Sequence, residues 1–238
     1  MGADIHMMAE LRQKRQMELY PNGMVNRVYE DGDWKAITQP FFTNQYFDHK
    51  EFIKSGETFS APMTPKPYNG RNYTLFSLLA DVRNEPKGTP DYVEPIAMPK
   101  GQPPQASSEW YELAGKWDGD GHSHSWFTLA ELQAFDWSRP QTFRGYITPD
   151  QYPKFKETQD TPSSWFGGTS GKKVTAAEFE EMIEEDKHLV HGILIEWQKP
   201  ISEMLGRFYT HTLPELEMIR EAADVTADNV RICFFFDN

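Results

Sequence analysis

Apolar and polar residues alternate over Ala3–Leu11, with Ile5, Met7 and Ala9 on one side and Asp4, His6 and Met8 on the other. A period of two is that of a half-buried strand, and it puts Asp4 and His6 on one face, two residues apart. Residues 12–22 are polar and read as a loop. Met24–Thr38 reads as a hairpin, with Asp31-Gly32 as the turn between Val28-Tyr29-Glu30 and Asp33-Trp34-Lys35. His191–Gln198, with the continuous apolar run Ile193-Leu194-Ile195, reads as a strand covered on both faces, Val230–Asp237 as another of the same kind, and Phe143–Ile147 as a shorter strand.

Leu75, Leu78, Leu79 and Val82 keep helical spacing, which predicts a helix from Asn72 or Tyr73 to Val82. Ser107 or Ser108 caps a second helix running to Trp117. Thr128…Glu131, Thr148…Gln151, Thr175…Glu178 and Thr212…Glu215 each have the spacing at which a hydroxyl and a carboxylate or amide satisfy orphan N–H groups reciprocally. They predict helices over about 128–135, 149–157, 175–187 and 212–223. The proline-bearing stretches 39–72 and 85–104 read as irregular insertions. The order of elements favours an α+β fold: a single domain over 1–238 with a mixed β-sheet flanked by helices.

Composition adjusts this picture in three ways. The 16 Phe, 10 Tyr and 7 Trp supply core volume that the aliphatic residues do not. A formal charge of −12 argues against a general nucleic-acid binder, which needs a basic face, but leaves room for a small anion held by one local Arg or Lys. Cys233 is the sole cysteine, so no internal disulfide forms, and within Arg231–Phe236 it reads as a buried, inert thiol. The opening Met1–His6 lacks the apolar core of a signal peptide, and no apolar run reaches membrane-spanning length. A cytoplasmic protein that does not insert into a membrane is expected.

The densest cluster of chemistry-bearing groups is Trp117-Asp118-Gly119-Asp120-Gly121-His122-Ser123-His124-Ser125-Trp126, which reads as a loop before the helix start at Thr128. On an extended backbone Asp118, Asp120, His122 and His124 would share one side. Such oxygen and imidazole ligands suit a divalent metal (Zn, Mn or Mg), and the imidazoles also suit metal-free acid–base work. The competing reading is a polar surface loop in which Asp-Gly is turn chemistry and the serines are local caps. The flanking tryptophans favour a cleft. Arg83, after Asp81 and before Asn84, is placed to clamp a phosphate or simply to complement a helix end. His191 and His211 are single imidazoles beside a strand and a cap, and His49 and His188 read as solvent-facing. Gly167–Lys173 lacks the spacing of a phosphate loop, and no dinucleotide fingerprint, nucleophile elbow or zinc-protease motif occurs.

Gly2-Ala3-Asp4-Ile5-His6, Arg71-Asn72-Tyr73 leading to Leu79–Asn84, Gly119–Ser125 and the ending Val230–Asn238 together resemble a family of uncharacterised proteins of tailed phages, prophages and some actinobacteria. The resemblance spans nearly the whole chain. It implies an accessory protein acting in a host cytoplasm, for example one that disarms a host defence by degrading or sequestering a nucleotide signal. The resulting expectation is a phosphodiester or nucleotide hydrolase. In it His122 and His6 exchange protons, while Asp4 or Asp120 orients an imidazole or holds a metal. Arg83, with Asp81 and Asn84 beside it, neutralises the phosphate, and Ser123, His124, Ser125 and Trp126 position the ligand. The alternatives are a protein that sequesters a nucleotide-like ligand unchanged, and an inhibitor whose surface covers a host protein.

Overall fold

The computed structural model describes residues 2–19, 25–37, 67–168 and 170–238. Residues 20–24, most of the 39–72 insertion, His49 and Thr169 lie outside the described residues. In chain order the strands are β1 (Asp4–Leu19), β2 (Val25–Ala36), β3 (His122–Thr128), β4 (Pro140–Ile147), β5 (Lys172–Thr175), β6 (Val190–Pro200) and β7 (Val230–Asp237). The α-helices are α1 (Tyr73–Ala80), α2 (Ser108–Gly115), α3 (Leu129–Ala134), α4 (Tyr152–Thr158), α5 (Ala176–Glu181), α6 (Glu184–Lys187) and α7 (Leu213–Ala222). The fold is α+β, and the chain divides into two compact units. The strands form two sheets, where sequence patterning suggested one.

The first unit comprises Met1–Asn84, Glu94–Asp136 and Leu205–Asn238. Its sheet has the order β2-β1-β7-β3 and is antiparallel throughout. Val230 to Phe236 are all at most 1% exposed, because β7 is an inner strand covered on both faces. Phe76 of α1 packs on Phe236 (ring centroids 4.9 Å apart) and Trp110 of α2 packs on Phe235 (5.8 Å). Adjacent residues of a strand face opposite ways, so the two helices cover opposite sides of the sheet. That explains why the alternation seen in β1 is missing from β7.

The expected loop at 12–22 and the hairpin at 24–38 are both corrected. β1 continues to Leu19 and pairs with β2 over Glu10–Leu19. Between the pairs Arg12↔Trp34 and Lys14↔Asp31, β2 advances three residues while β1 advances two. Asp31-Gly32 therefore borders a β-bulge and is not a turn; glycine suits both, which is why the dipeptide misleads.

Helix starts follow the capping pattern where the hydroxyl is free to cap. Both reciprocal bonds form at Thr128/Glu131 and Thr175/Glu178, and Asn72 Oδ1 accepts from Leu75 N at 3.0 Å. Gln151 Oε1 accepts from Thr148 N at 3.1 Å, but the α-helix begins only at Tyr152. Thr212 does not cap. A π-helical turn, Phe208–Thr212, runs straight into α7, and Thr212 Oγ1 donates to Pro67 O at 2.8 Å. The helix expected over 175–187 breaks at Met182, whose backbone is extended (ψ 143°), into α5 and α6.

The second unit comprises Glu85–Val93 and Trp137–Met204. Its sheet has the order β4-β6-β5, with β4 antiparallel and β5 parallel to β6. Phe143, Ile147, Ile193, Ile195 and Trp197 form its apolar face, closed by Tyr152 and Phe155 of α4 and Phe179 of α5.

In the first unit a charge pair is buried outright: Glu10 is 0% and Arg231 1% exposed. They are cross-strand partners on β1 and β7, with Arg231 Nε and Nη2 at 2.7 and 2.6 Å from Glu10 Oε2. Glu10 Oε1 accepts from Ser107 N (2.8 Å) and Ser107 Oγ (2.6 Å), and Ser107 Oγ in turn caps α2 by accepting from Trp110 N (3.2 Å). Arg231 Nη1 donates to Pro104 O at 3.1 Å, and its guanidinium lies 3.9 Å from the Trp34 ring centroid. Cys233 Sγ donates to Glu10 Oε2 at 3.3 Å. Burial, followed by the Glu10 charge, pushes the Cys233 thiol well above its ordinary value, which accounts for an inert cysteine.

Removing one partner strands a buried charge. Glu10→Leu or Arg231→Met alone is expected to cost about 3–5 kcal/mol, and the double replacement much less than the sum. Urea unfolding of the three variants checks this; additive losses would show that the pair is not a coupled unit.

Candidate functional site

The antiparallel register determines what meets at the C-terminal end of β7. Asp4 pairs with Asp237 and His6 with Phe235 on the β1 side, and His122 pairs with Phe236 on the β3 side. Arg83 Nη2 donates to Asn238 Oδ1 at 3.2 Å. Segments 2–6, 81–84 and 118–125 thus meet at one end of one sheet, and the two faces of that sheet divide them.

On the α2 face, His6 Nε2 lies 3.2 Å from Asp237 Oδ2, with side chains 15% and 13% exposed. Asp237 Oδ1 accepts from the Asp4 backbone N–H at 3.1 Å, which fixes the carboxylate's orientation. The His6 ring is packed between Trp117 (centroids 4.3 Å apart) and Phe235 (4.8 Å, stacked). Among the described residues, His6 Nδ1 has no protein partner. His124 stacks on the same Phe235 at 5.0 Å. Asp4 does not orient an imidazole: both its oxygens are taken by Arg71, with Nε–Oδ1 3.0 Å, Nη2–Oδ1 2.7 Å and Nη2–Oδ2 2.8 Å. Hydrogen bonding to Asp4 raises the Arg71 guanidinium further above its ordinary value.

His122 lies on the other face. The register shifts between His122 and Ser125, and Ser123 takes a left-handed backbone (φ 52°). This bulge turns His122 toward Phe236 (6.2 Å) while His124 stays with Phe235, so His122 and His6 are not positioned to exchange protons. His122 Nδ1 is 3.0 Å from Ser123 Oγ, and its Nε2 is buried with no hydrogen-bond partner among the described residues.

Other expected site residues hold the backbone. Asp81 ends α1 in the left-handed region (φ 57°), its N–H donating to Ser77 O (2.9 Å) and its Oδ1 accepting from Asn84 Nδ2 (2.6 Å). Ser125 is fully buried and accepts from Lys100 N at 3.2 Å. Trp126 lies under Lys100 Nζ, 4.2 Å from its ring centroid. These two residues fasten the Lys100-Gly101 segment to the outer edge of β3, where Gly101 N also donates to His124 O (2.9 Å). Asp118 and Asp120 are exposed in the turn before β3. Among the described residues no group of three or more His, Cys, Asp or Glu is placed to hold a metal ion, so Asp118, Asp120, His122 and His124 do not form the expected ligand set.

The residues that sequence reasoning missed are Asp237 and Arg71. Both stood in familiar-looking segments, yet neither is near His6 or Asp4 in the chain, and only strand pairing brings them there.

Burial, then the neighbouring His122, lowers the His124 imidazole below its ordinary value. The native state therefore prefers neutral His124. Its contribution to stability is present in full above the unfolded value of about 6.5 and is lost as pH falls through the lower native value. His124→Phe should flatten the fall in Tm as pH drops below about 6.5. An unchanged slope would show that His124 protonation is not coupled to folding.

Compared with protein-family models, curated proteins and solved structures, the chain matches none, so its geometry must carry the functional reading.

Proposed function

We propose that this protein hydrolyses a small, nucleotide-like phosphate ester with His6 and Asp237 as its acid–base pair. One observation carries the reading: a largely buried imidazole is held by a carboxylate through one nitrogen, 3.2 Å away, while its second nitrogen has no protein partner among the described residues. An orienting carboxylate favours one tautomer and stabilises the imidazolium formed when the free nitrogen takes a proton. In this reading His6 Nδ1 takes the proton of a water attacking phosphorus and returns it to the leaving oxygen. Asp237 stays ionised throughout. Arg71, adjacent through Asp4, neutralises charge on the phosphoryl oxygens, the part first expected of Arg83.

The phage setting implied by the family resemblance would make the activity one directed at a host nucleotide signal. No helix among the described residues is long and apolar enough to cross a membrane.

The test is turnover of a panel of mono-, di- and cyclic nucleotides, with and without Mg, Mn or Zn. His6→Gln is expected to lower kcat by about 10²–10⁴-fold, and Asp237→Asn to lower it substantially while folding is preserved. No turnover across the panel ends the hydrolase reading. Calorimetric binding with intact ligand recovered would instead make the protein a sequestering one.

A further inference from the structure

We infer that Asp4 is a built-in competitor at the anion site of this centre, its carboxylate occupying the Arg71 fork that a ligand phosphate takes when bound. The inference rests on the reading of His6, Asp237 and Arg71 as one centre.

Three observations support it. First, the Asp4–Arg71 contact engages both carboxylate oxygens, at 2.7–3.0 Å over three hydrogen bonds from Nε and Nη2, the edge of a guanidinium that also receives two phosphate oxygens. Asp4 thus stands in the position and charge of a ligand anion. Second, this fork adjoins the acid–base pair. The Asp4 N–H donates to Asp237 Oδ1 (3.1 Å), Asp237 Oδ2 faces His6 Nε2 (3.2 Å), and the Asp237 charge acts on the Arg71 guanidinium, so Asp237 links the fork to the imidazole. Third, the guanidinium lies close against the backbone of Gly2. A Cβ there would come within 2.7 Å of Nη1 and 3.0 Å of Cζ, so the missing side chain makes room for Arg71 at the end of the sheet.

Exposure determines how the pair behaves. The Arg71 and Asp4 side chains are 52% and 54% exposed, so water and salt compete for both. An exposed pair is weakly held, and a ligand with more charge and more acceptor oxygens than a carboxylate displaces it readily. Once displaced, Asp4 repels further anions, which favours ligands able to fill the whole fork. The plainer alternative is a surface ion pair that clips the start of β1 to the segment before α1, and the two differ in their response to phosphate.

The experiment titrates inorganic phosphate into the full-length protein at low salt, followed by ³¹P NMR, with Tm recorded for each variant. Asp4→Asn is expected to bind phosphate roughly two- to fivefold more tightly, the gain from releasing an exposed ion pair. Arg71→Gln should lose the binding, and Asp4→Asn should add nothing in the Arg71→Gln background. A gain that persists without Arg71 would reduce the effect to net charge and overturn the inference. So would a folded Asp4→Asn protein that binds phosphate no better than wild type, or not at all. Phosphate binding in the expected pattern without nucleotide turnover would keep the anion site and remove hydrolysis. Turnover without that pattern would do the reverse.

Discussion

The Glu10–Arg231 pair fixes the geometry on which the candidate site depends. Two groups of opposite charge at 0% and 1% exposure carry a desolvation penalty that close mutual contact and further hydrogen bonds offset. Those conditions are met in one register, with Glu10 opposite Arg231, Ser107 at the start of α2 and Pro104 O on the far side. A slip of one residue between β1 and β7 would turn Glu10 to the opposite face and leave Arg231 charged and unpaired in an aromatic core. The same register, six residues along β1, sets Asp4 opposite Asp237, with His6 facing Phe235. The buried pair thus aligns the site without touching it.

On the other side of β7 a defect in the ladder does the aligning. The bulge at Ser123 lets His124 stay on the face of Phe235 while His122 turns to that of Phe236. A regular strand would have kept the two histidines on one face, as plain alternation predicts. Ser123 adopts a positive φ with its hydroxyl against the His122 ring, a local bond that helps hold an uncommon conformation for a residue with a side chain. Two imidazoles separated by one residue in the chain therefore have separate surroundings.

What could be read from the sequence was what is local. The alternation of β1, the apolar runs of β6 and β7, the helix starts at Asn72, Ser107, Thr128 and Thr175 and the α+β class all depend on neighbours within a few residues. The misreadings share a cause: one short pattern serves two structures. Asp31-Gly32 serves a bulge as well as a turn, and the threonine at 212 sits inside a helical segment with its hydroxyl donating to Pro67 O instead of capping. The local cluster of Asp and His at 118–124 was visible as composition. The pairing of His6 with Asp237, across 231 positions, was not, since nothing in either segment specifies its partner. Glu10 and Arg231 were hidden for the same reason, each looking like an ordinary charge in a strand.

The Gly119-Asp120-Gly121 turn then takes on a different purpose from the one its carboxylate suggests. Gly119 has φ 100°, a conformation that L side chains rarely adopt, and a Cβ on Gly121 would sit 3.2 Å from Trp117 O and 3.3 Å from the Phe235 ring. Asp120 N and Gly121 N both donate to Trp117 O (3.0 and 2.7 Å), closing the turn tightly enough to bring the Trp117 indole against His6. An imidazole packed between an indole and a phenyl ring has little freedom to rotate, so its orientation toward Asp237 is set before any ligand arrives. Preorganisation of this kind lets a single carboxylate hold a tautomer at a partly hydrated strand end. The glycines contribute to the site by the backbone approach they permit, while the carboxylate of Asp120 between them is exposed to solvent.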